Sequence, residues 1–294
     1  MTGKSNVPTA SMLKSMIIVT APTGSTVTCT NGSITKTAIE RNGTWTFRGI
    51  LTGTWTVKGT KSGQSTSKTV TITRLEVEYV TLTYRVTPEF TYTGSYKILT
   101  DSDGTISDFA SYKGNWKIKF LTSGTFKIVS MHGFTGGINV FLVGGGGGGG
   151  ASGTEGEGIT TKGGTGGPGY NKTVTVTPSV GTNYTITIGA GGRGGPYNAS
   201  NSNGGGGGTT SAFGNSVSGG KGATATYWGA PGTDGSGGTA AYEFNWSSGN
   251  RYSVKAGSAT DNTGNSGAGG YYSSGTHQDG KAGRSGVVII RNKR

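Results

Sequence analysis

The side chains that do acid–base, nucleophilic or metal chemistry are scarce in this 294-residue chain: His132 and His277 are its only histidines and Cys29 its only cysteine. A nucleophile needs a base within reach and the base needs an orienting group. Neither histidine stands beside an Asp or Cys in a pattern of that kind, and Cys29 sits in a Thr/Val run that reads as a small core position. A zinc site built from Cys and His takes four ligands, more than the chain possesses. The carboxylate pairs Asp101/Asp103 and Glu155/Glu157 lie in polar stretches and read as solvated turn residues. Asp101-Ser-Asp-Gly104 lacks the bidentate Glu of a calcium loop, and the Gly-Gly-Lys-Gly at 219–222 lacks the hydroxyl residue that follows the lysine of a phosphate-binding loop. Matches to GxGxxG follow from composition alone. The expectation is a protein that is not an enzyme, with no cofactor and no metal.

Aromatic residues are the other chemistry on offer. Tyr197, Tyr227, Trp228, Tyr242, Trp246, Tyr252, Tyr271 and Tyr272 stand in Gly-, Ser- and Asn-rich surroundings. Large rigid rings with small adaptable polar neighbours are also the composition of antibody paratopes, so these eight are the candidate receptor-binding residues. The competing reading makes some of them a small capping core.

Something must hold such rings in place, and the composition says where to look. Of the 60 glycines, 46 fall in the last 158 residues, clustered at 144–150, 163–169, 189–195, 204–208, 219–222 and 267–270. Strand patterns recur between clusters, at 172–177, 183–188 and 287–290, which a flexible linker would not do. Extended glycine chains approach closely because they lack Cβ, and a polyproline II helix leaves its N–H and C=O groups pointing outward to bond neighbours. The runs are therefore expected to pack as polyglycine II helices, with long disordered loops as the alternative. The final strand, 287–291, is expected to close the domain against 138–143.

The first half reads differently. Residues 1–15 look like an arm. From 16 to 86, short Thr/Val/aromatic runs alternate with Asn-Gly, Thr-Gly and Ser-Gly turns, the signature of a small antiparallel sandwich. Trp45, Phe47, Trp55 and Val57 share one face and are expected in its core rather than on a sugar-stacking platform. Residues 87–143 form a strand-rich lead-in, in which Trp116, Ile118 and Phe120 face inward and Lys117 and Lys119 outward. The fold class is thus all-β: a sandwich over 16–86, then a glycine-rich domain over 87–294, with its array at 144–286.

The net charge is +13, from 26 Lys and Arg against 13 Asp and Glu. It suits an acidic partner or plain solubility. Residues 137–294 carry +5 of it and no Lys/Arg block, so no specific nucleic-acid partner is expected. The apolar run at 16–19 is too short for a signal h-region or a membrane span, and the single cysteine suits assembly in a reducing cytoplasm.

The order Val140-Phe-Leu-Val143 into glycines, then Tyr-Thr-Ile-Thr-Ile-Gly-Ala-Gly-Gly, then a closing Gly-Val-Val-Ile-Ile-Arg resembles the glycine-rich domain of phage tail fibre, baseplate and minor structural proteins. The stretch at 115–126 is similar to the lead-in such domains carry, so the resemblance spans about 88–294. Residues 16–86 resemble PEGA-type and carboxypeptidase-regulatory-like sandwiches. These resemblances imply a virion protein of the tail tip, fibre or baseplate, assembled in the host cytoplasm. They also imply a homo-oligomer, a trimer for preference, whose partners are other virion proteins and a bacterial surface receptor, either cell-wall polysaccharide or surface protein. A capsid decoration protein and a bacterial surface adhesin are the alternatives.

Overall fold

The computed structural model describes residues 15–132, 134, 136–152, 162–197, 202–225, 232–238, 263–271 and 276–292. Every element in them is a β-strand, and the chain divides into two compact units.

The first unit takes residues up to Pro88, together with 110–113 and 132–134. Strands β1 (Ser15–Thr20), β4 (Thr44–Ile50) and β7 (Val77–Thr81) form a sheet in the order β4-β1-β7. The second sheet runs β3 (Thr35–Thr37), β2 (Thr26–Thr30), β5 (Gly53–Lys61), β6 (Gln64–Ile72). Alternation along these strands sends every second side chain to one shared core. Ile17 and Val19 meet Val27, Cys29, Trp45, Phe47, Trp55 and Val57 there, all at most 2% exposed. Trp55 keeps its indole satisfied by donating to the Leu51 carbonyl at 2.9 Å. Asn42 (φ 51°) and Gly43 (φ 73°) make a turn that needs positive φ twice over, hence Asn-Gly. The sandwich departs from pure antiparallel order at one place, since β7 pairs with β1 in parallel.

The second unit builds another sandwich. Strands β8 (Glu89–Tyr92), β11 (Gly124–Ser130) and β14 (Asn183–Ile186) form one sheet. Strands β9 (Tyr96–Thr100), β10 (Trp116–Phe120), β12 (Ile138–Val143), β13 (Asn171–Val176) and β17 (Val287–Asn292) form the other, in the order β13-β12-β17-β10-β9. Aromatic contacts cross between the sheets: Phe120 packs on Phe126 at 5.5 Å and Tyr92 on Phe120 at 4.7 Å, both edge to face. The hairpin of β15 (Thr210–Ala212) and β16 (Asn215–Val217) adds Phe213 against Phe126 and Tyr184. The closing strand β17 lies antiparallel to β12 in full register, from Val143 opposite Val287 to Ile138 opposite Asn292.

One expectation on the lead-in fails. Lys117 does not face solvent: it is 3% exposed and pairs with Asp103 at 2.7 Å. Strand β10 is an interior strand of its sheet, with Lys117 buried and Lys119 half-buried on the face expected to be wet, so alternation does not mark a solvent side here. The next strand, β11, belongs to the other sheet, so the chain crosses between sheets at 121–123.

Eight extended segments continue from these strands: 144–152, 163–170, 189–196, 202–209, 218–225, 232–238, 263–271 and 276–286. They bond to one another with a period of three. Along the first segment, the amides of Gly144, Gly147 and Gly150 donate to the second segment, those of Gly145, Gly148 and Ala151 to the fourth, and those of Gly146, Gly149 and Ser152 to the eighth. Its carbonyls accept in the same rotation from the fifth (to Gly145 and Gly148), the third (to Gly146 and Gly149) and the seventh (to Gly147 and Gly150). Three residues per turn with no internal bonds is the polyproline II geometry. Apart from Gly264, none of the described array glycines has positive φ, as that left-handed helix requires.

The first segment is therefore the axis of a hexagonal bundle. Around it the order is second, fifth, fourth, third, eighth, seventh, each bonded to the next and the seventh back to the second, while the sixth lies outside on the second and fifth. The bond pairs also give direction. Gly144 meets Tyr170 and Gly150 meets Gly164, so the second segment runs antiparallel to the first; Gly146 with Gly192 and Gly149 with Gly195 make the third parallel. Applied throughout, the odd segments run one way and the even ones return.

Candidate binding surface at the far end of the array

Steric demand explains which residues occupy the array. The first segment has neighbours on six sides, and a Cβ on any of residues 144–150 would fall 1.8–2.0 Å from a backbone carbonyl oxygen. Only seven consecutive glycines satisfy that. The outer segments have a free side, and there every third position tolerates a side chain: Thr165 and Pro168 in the second, Ala190 and Arg193 in the third, Lys221 and Thr224 in the fifth. In the fourth, Gly206 is such a position, where an added methyl group would find nothing nearer than 3.8 Å. The central amides from Gly144 to Ser152 all have partners, so a core of bare peptide is buried without orphaned groups.

Because the segments alternate in direction, the links between them fall at two ends. The near end is where β12, β13, β15, β16 and β17 join the array. At the far end the chain passes from 152 to 163, from 196 to 202, from 225 to 232 and from 271 to 276. About 28 Å separates the two ends of the nine-residue axis at ~3.1 Å per residue.

The far end brings two of the sequence-selected aromatics together with polar groups. Tyr197 leaves the third segment and stacks on His277 of the eighth, rings 4.3 Å apart and 8° from parallel. Its amide donates to an Asp279 carboxylate oxygen at 2.7 Å. Beneath the stack Ser152 ends the axis: its amide and hydroxyl both donate to the Gln278 carbonyl, and its hydroxyl accepts from the Gln278 amide at 3.0 Å. Tyr271 ends the seventh segment, bridged to Lys162, with half of its surface exposed. The surface so built offers a half-buried stacked ring pair, a third, exposed ring and an ammonium, which suits the apolar face and hydroxyls of a sugar or a peptide side chain.

The other six candidates, Tyr227, Trp228, Tyr242, Trp246, Tyr252 and Tyr272, lie outside the described residues. Their chain positions still sort them. Tyr227, Trp228 and Tyr272 fall in links whose flanking residues stand at the far end, whereas Tyr242, Trp246 and Tyr252 fall between Gly238 and Thr263, both at the near end. His277 carries no signal of this role in the sequence. Its stacking partner is 80 positions away, and only the adjacency of the third and eighth segments brings the two rings together.

Residues 121–257 match the family described as a glycine-rich domain. The chain carries a glycine-rich domain. The match takes in β11 to β16 and the first six array segments, and the structural unit extends past it through the seventh and eighth to β17. No curated protein matches the chain.

Proposed function

We propose that this chain is a non-enzymatic virion protein of a phage tail tip, fibre or baseplate, and that it contributes to host-surface attachment through the far end of its glycine-rich domain. The observation that carries the reading is the up-and-down array itself. It holds its segments by a closed network of backbone bonds and brings the residues that flank four of its links, with Tyr197, His277 and Tyr271, to one end remote from the sandwich strands. A scaffold whose interior admits no side chain leaves the links as the place where sequence can vary, and variable links on a rigid body suit recognition. The motif order that resembles phage glycine-rich domains supports the same reading. The partners proposed are neighbouring virion proteins and a bacterial surface polysaccharide or protein, met by an oligomer, a trimer for preference.

The test is binding of the purified chain to intact cells and isolated walls of candidate hosts. Two variants accompany it, Tyr197→Ala with Tyr271→Ala, and Tyr227→Ala with Trp228→Ala. The expected result is binding that falls tenfold or more in at least one variant while its melting temperature is unchanged. Binding that survives both, or a folded chain that binds no host, would assign the domain a structural role among virion proteins instead.

A further inference from the structure

The first unit contains a cavity of about 490 Å³ that belongs to neither the array nor its far end. That volume lies within the range of small-molecule sites. Pro22, Val86 and the ring of Tyr84 give it an apolar wall, and Lys61 and Lys113 give it two ammonium groups. No carboxylate appears among its described lining residues. Lys61 donates to the Thr23 carbonyl at 2.8 Å, which leaves the rest of its donor capacity open.

Two polar atoms at this cavity lack partners. The Tyr84 hydroxyl and Gln64 Oε1 are buried and make no hydrogen bond. Gln64 is held in place by its other end, where Nε2 donates to the His132 carbonyl. The Tyr84 hydroxyl is fixed against Gly59, where a Cβ would come within 2.7 Å of it. Buried polar atoms are ordinarily paired, and unpaired ones at the wall of a cavity point to a molecule that is bound there.

We propose that this cavity is a binding site for a small anionic polyol, a sugar or glycerol unit bearing one carboxylate or phosphate. The acid group sits between Lys61 and Lys113, the C–H face of the polyol lies on Tyr84, Pro22 and Val86, and its hydroxyls serve the Tyr84 Oη and Gln64 Oε1. The site stands apart from attachment through the array and does not rest on that reading. Uronic acids and polyol phosphates share this chemistry, and the experiment separates them.

Calorimetric titration of the full chain with glucuronate, glycerol phosphate and glucose tests it, repeated with Lys113→Ala and Tyr84→Phe. Lys113 is exposed, so its variant is expected to fold as the wild type does and keeps the test valid if Tyr84→Phe does not. The proposal expects at least one anionic ligand to bind, ten times or more tighter than glucose, with affinity falling as salt rises. Lys113→Ala should weaken that binding tenfold or more, and Tyr84→Phe should weaken it as well. Binding of glucuronate alone assigns the carboxylate source, and binding of glycerol phosphate alone the phosphate source. Equal binding of glucose, binding indifferent to Lys113→Ala, or no binding of any of the three overturns the proposal.

Discussion

At the scale of single residues, the array is governed by a clearance of a few ångströms. A Cβ at Gly148 would stand 1.8 Å from the Arg193 carbonyl oxygen, which is backbone and cannot swing aside. At Gly206 a methyl group would meet nothing closer than the Gly220 carbonyl oxygen, at 3.8 Å. Gly148→Ala is therefore expected to destabilise the glycine-rich unit by about 3 kcal/mol or more. Gly206→Ala should be neutral or stabilising by up to about 1 kcal/mol, because alanine restricts the unfolded chain. Thermal and denaturant unfolding of the two variants checks both. Cys29 is a second residue whose behaviour follows from burial. Withdrawal from water pushes its thiol from 9.0 to about 11, and the nearby Lys36 offsets only part of that. The folded state thus holds a proton that the unfolded state gives up between pH 9 and 11, so stability falls as pH rises through that window. Wild type should lose more stability than Cys29→Ala between about pH 8.5 and 11, and the native thiol should resist alkylation until the chain unfolds.

At the scale of elements, Lys117 and Asp103 show what burial does to a charged pair. The lysine is inside and the aspartate side chain is 67% exposed, so solvent screens much of the attraction. Asp103→Asn should cost about 1 kcal/mol, and Lys117→Met should be close to neutral since it removes the buried charge and leaves an Asp103 carboxylate that solvent already hydrates. Denaturant midpoints measure the pair. The same strand marks how far the sequence could be read. Alternation at Trp116, Ile118 and Phe120 pointed to the inward face correctly, but it assumed a sheet with one wet face, and nothing local to β10 reveals that Lys117 on the opposite face is buried as well. Asn42-Gly43 and the pairing of β17 with β12 were legible because turn chemistry and a lone apolar closing run leave few alternatives. The parallel β1–β7 pair was not, since its register depends on a chain crossing that no local residue encodes.

At the scale of the molecule, the glycine clusters announced packed polyglycine helices but not their arrangement. Seven glycines in a row at 144–150 are the mark of the central helix, because only that helix is enclosed on all sides; outer helices tolerate a side chain at every third place. That contrast is visible in the sequence once the bundle is known. Which links share an end follows from the strict alternation of eight segments, so Tyr197 and His277 became neighbours only with the topology in hand. A fixed far end requires the array to be one rigid body, and amide hydrogen exchange is the measurement that reports on it. The amides at 144–152 are expected to exchange as slowly as those of β12, opening only with the whole unit. Exchange at those nine amides as fast as in an unstructured chain would contradict the array, and with it the proposal that its far end presents a fixed surface.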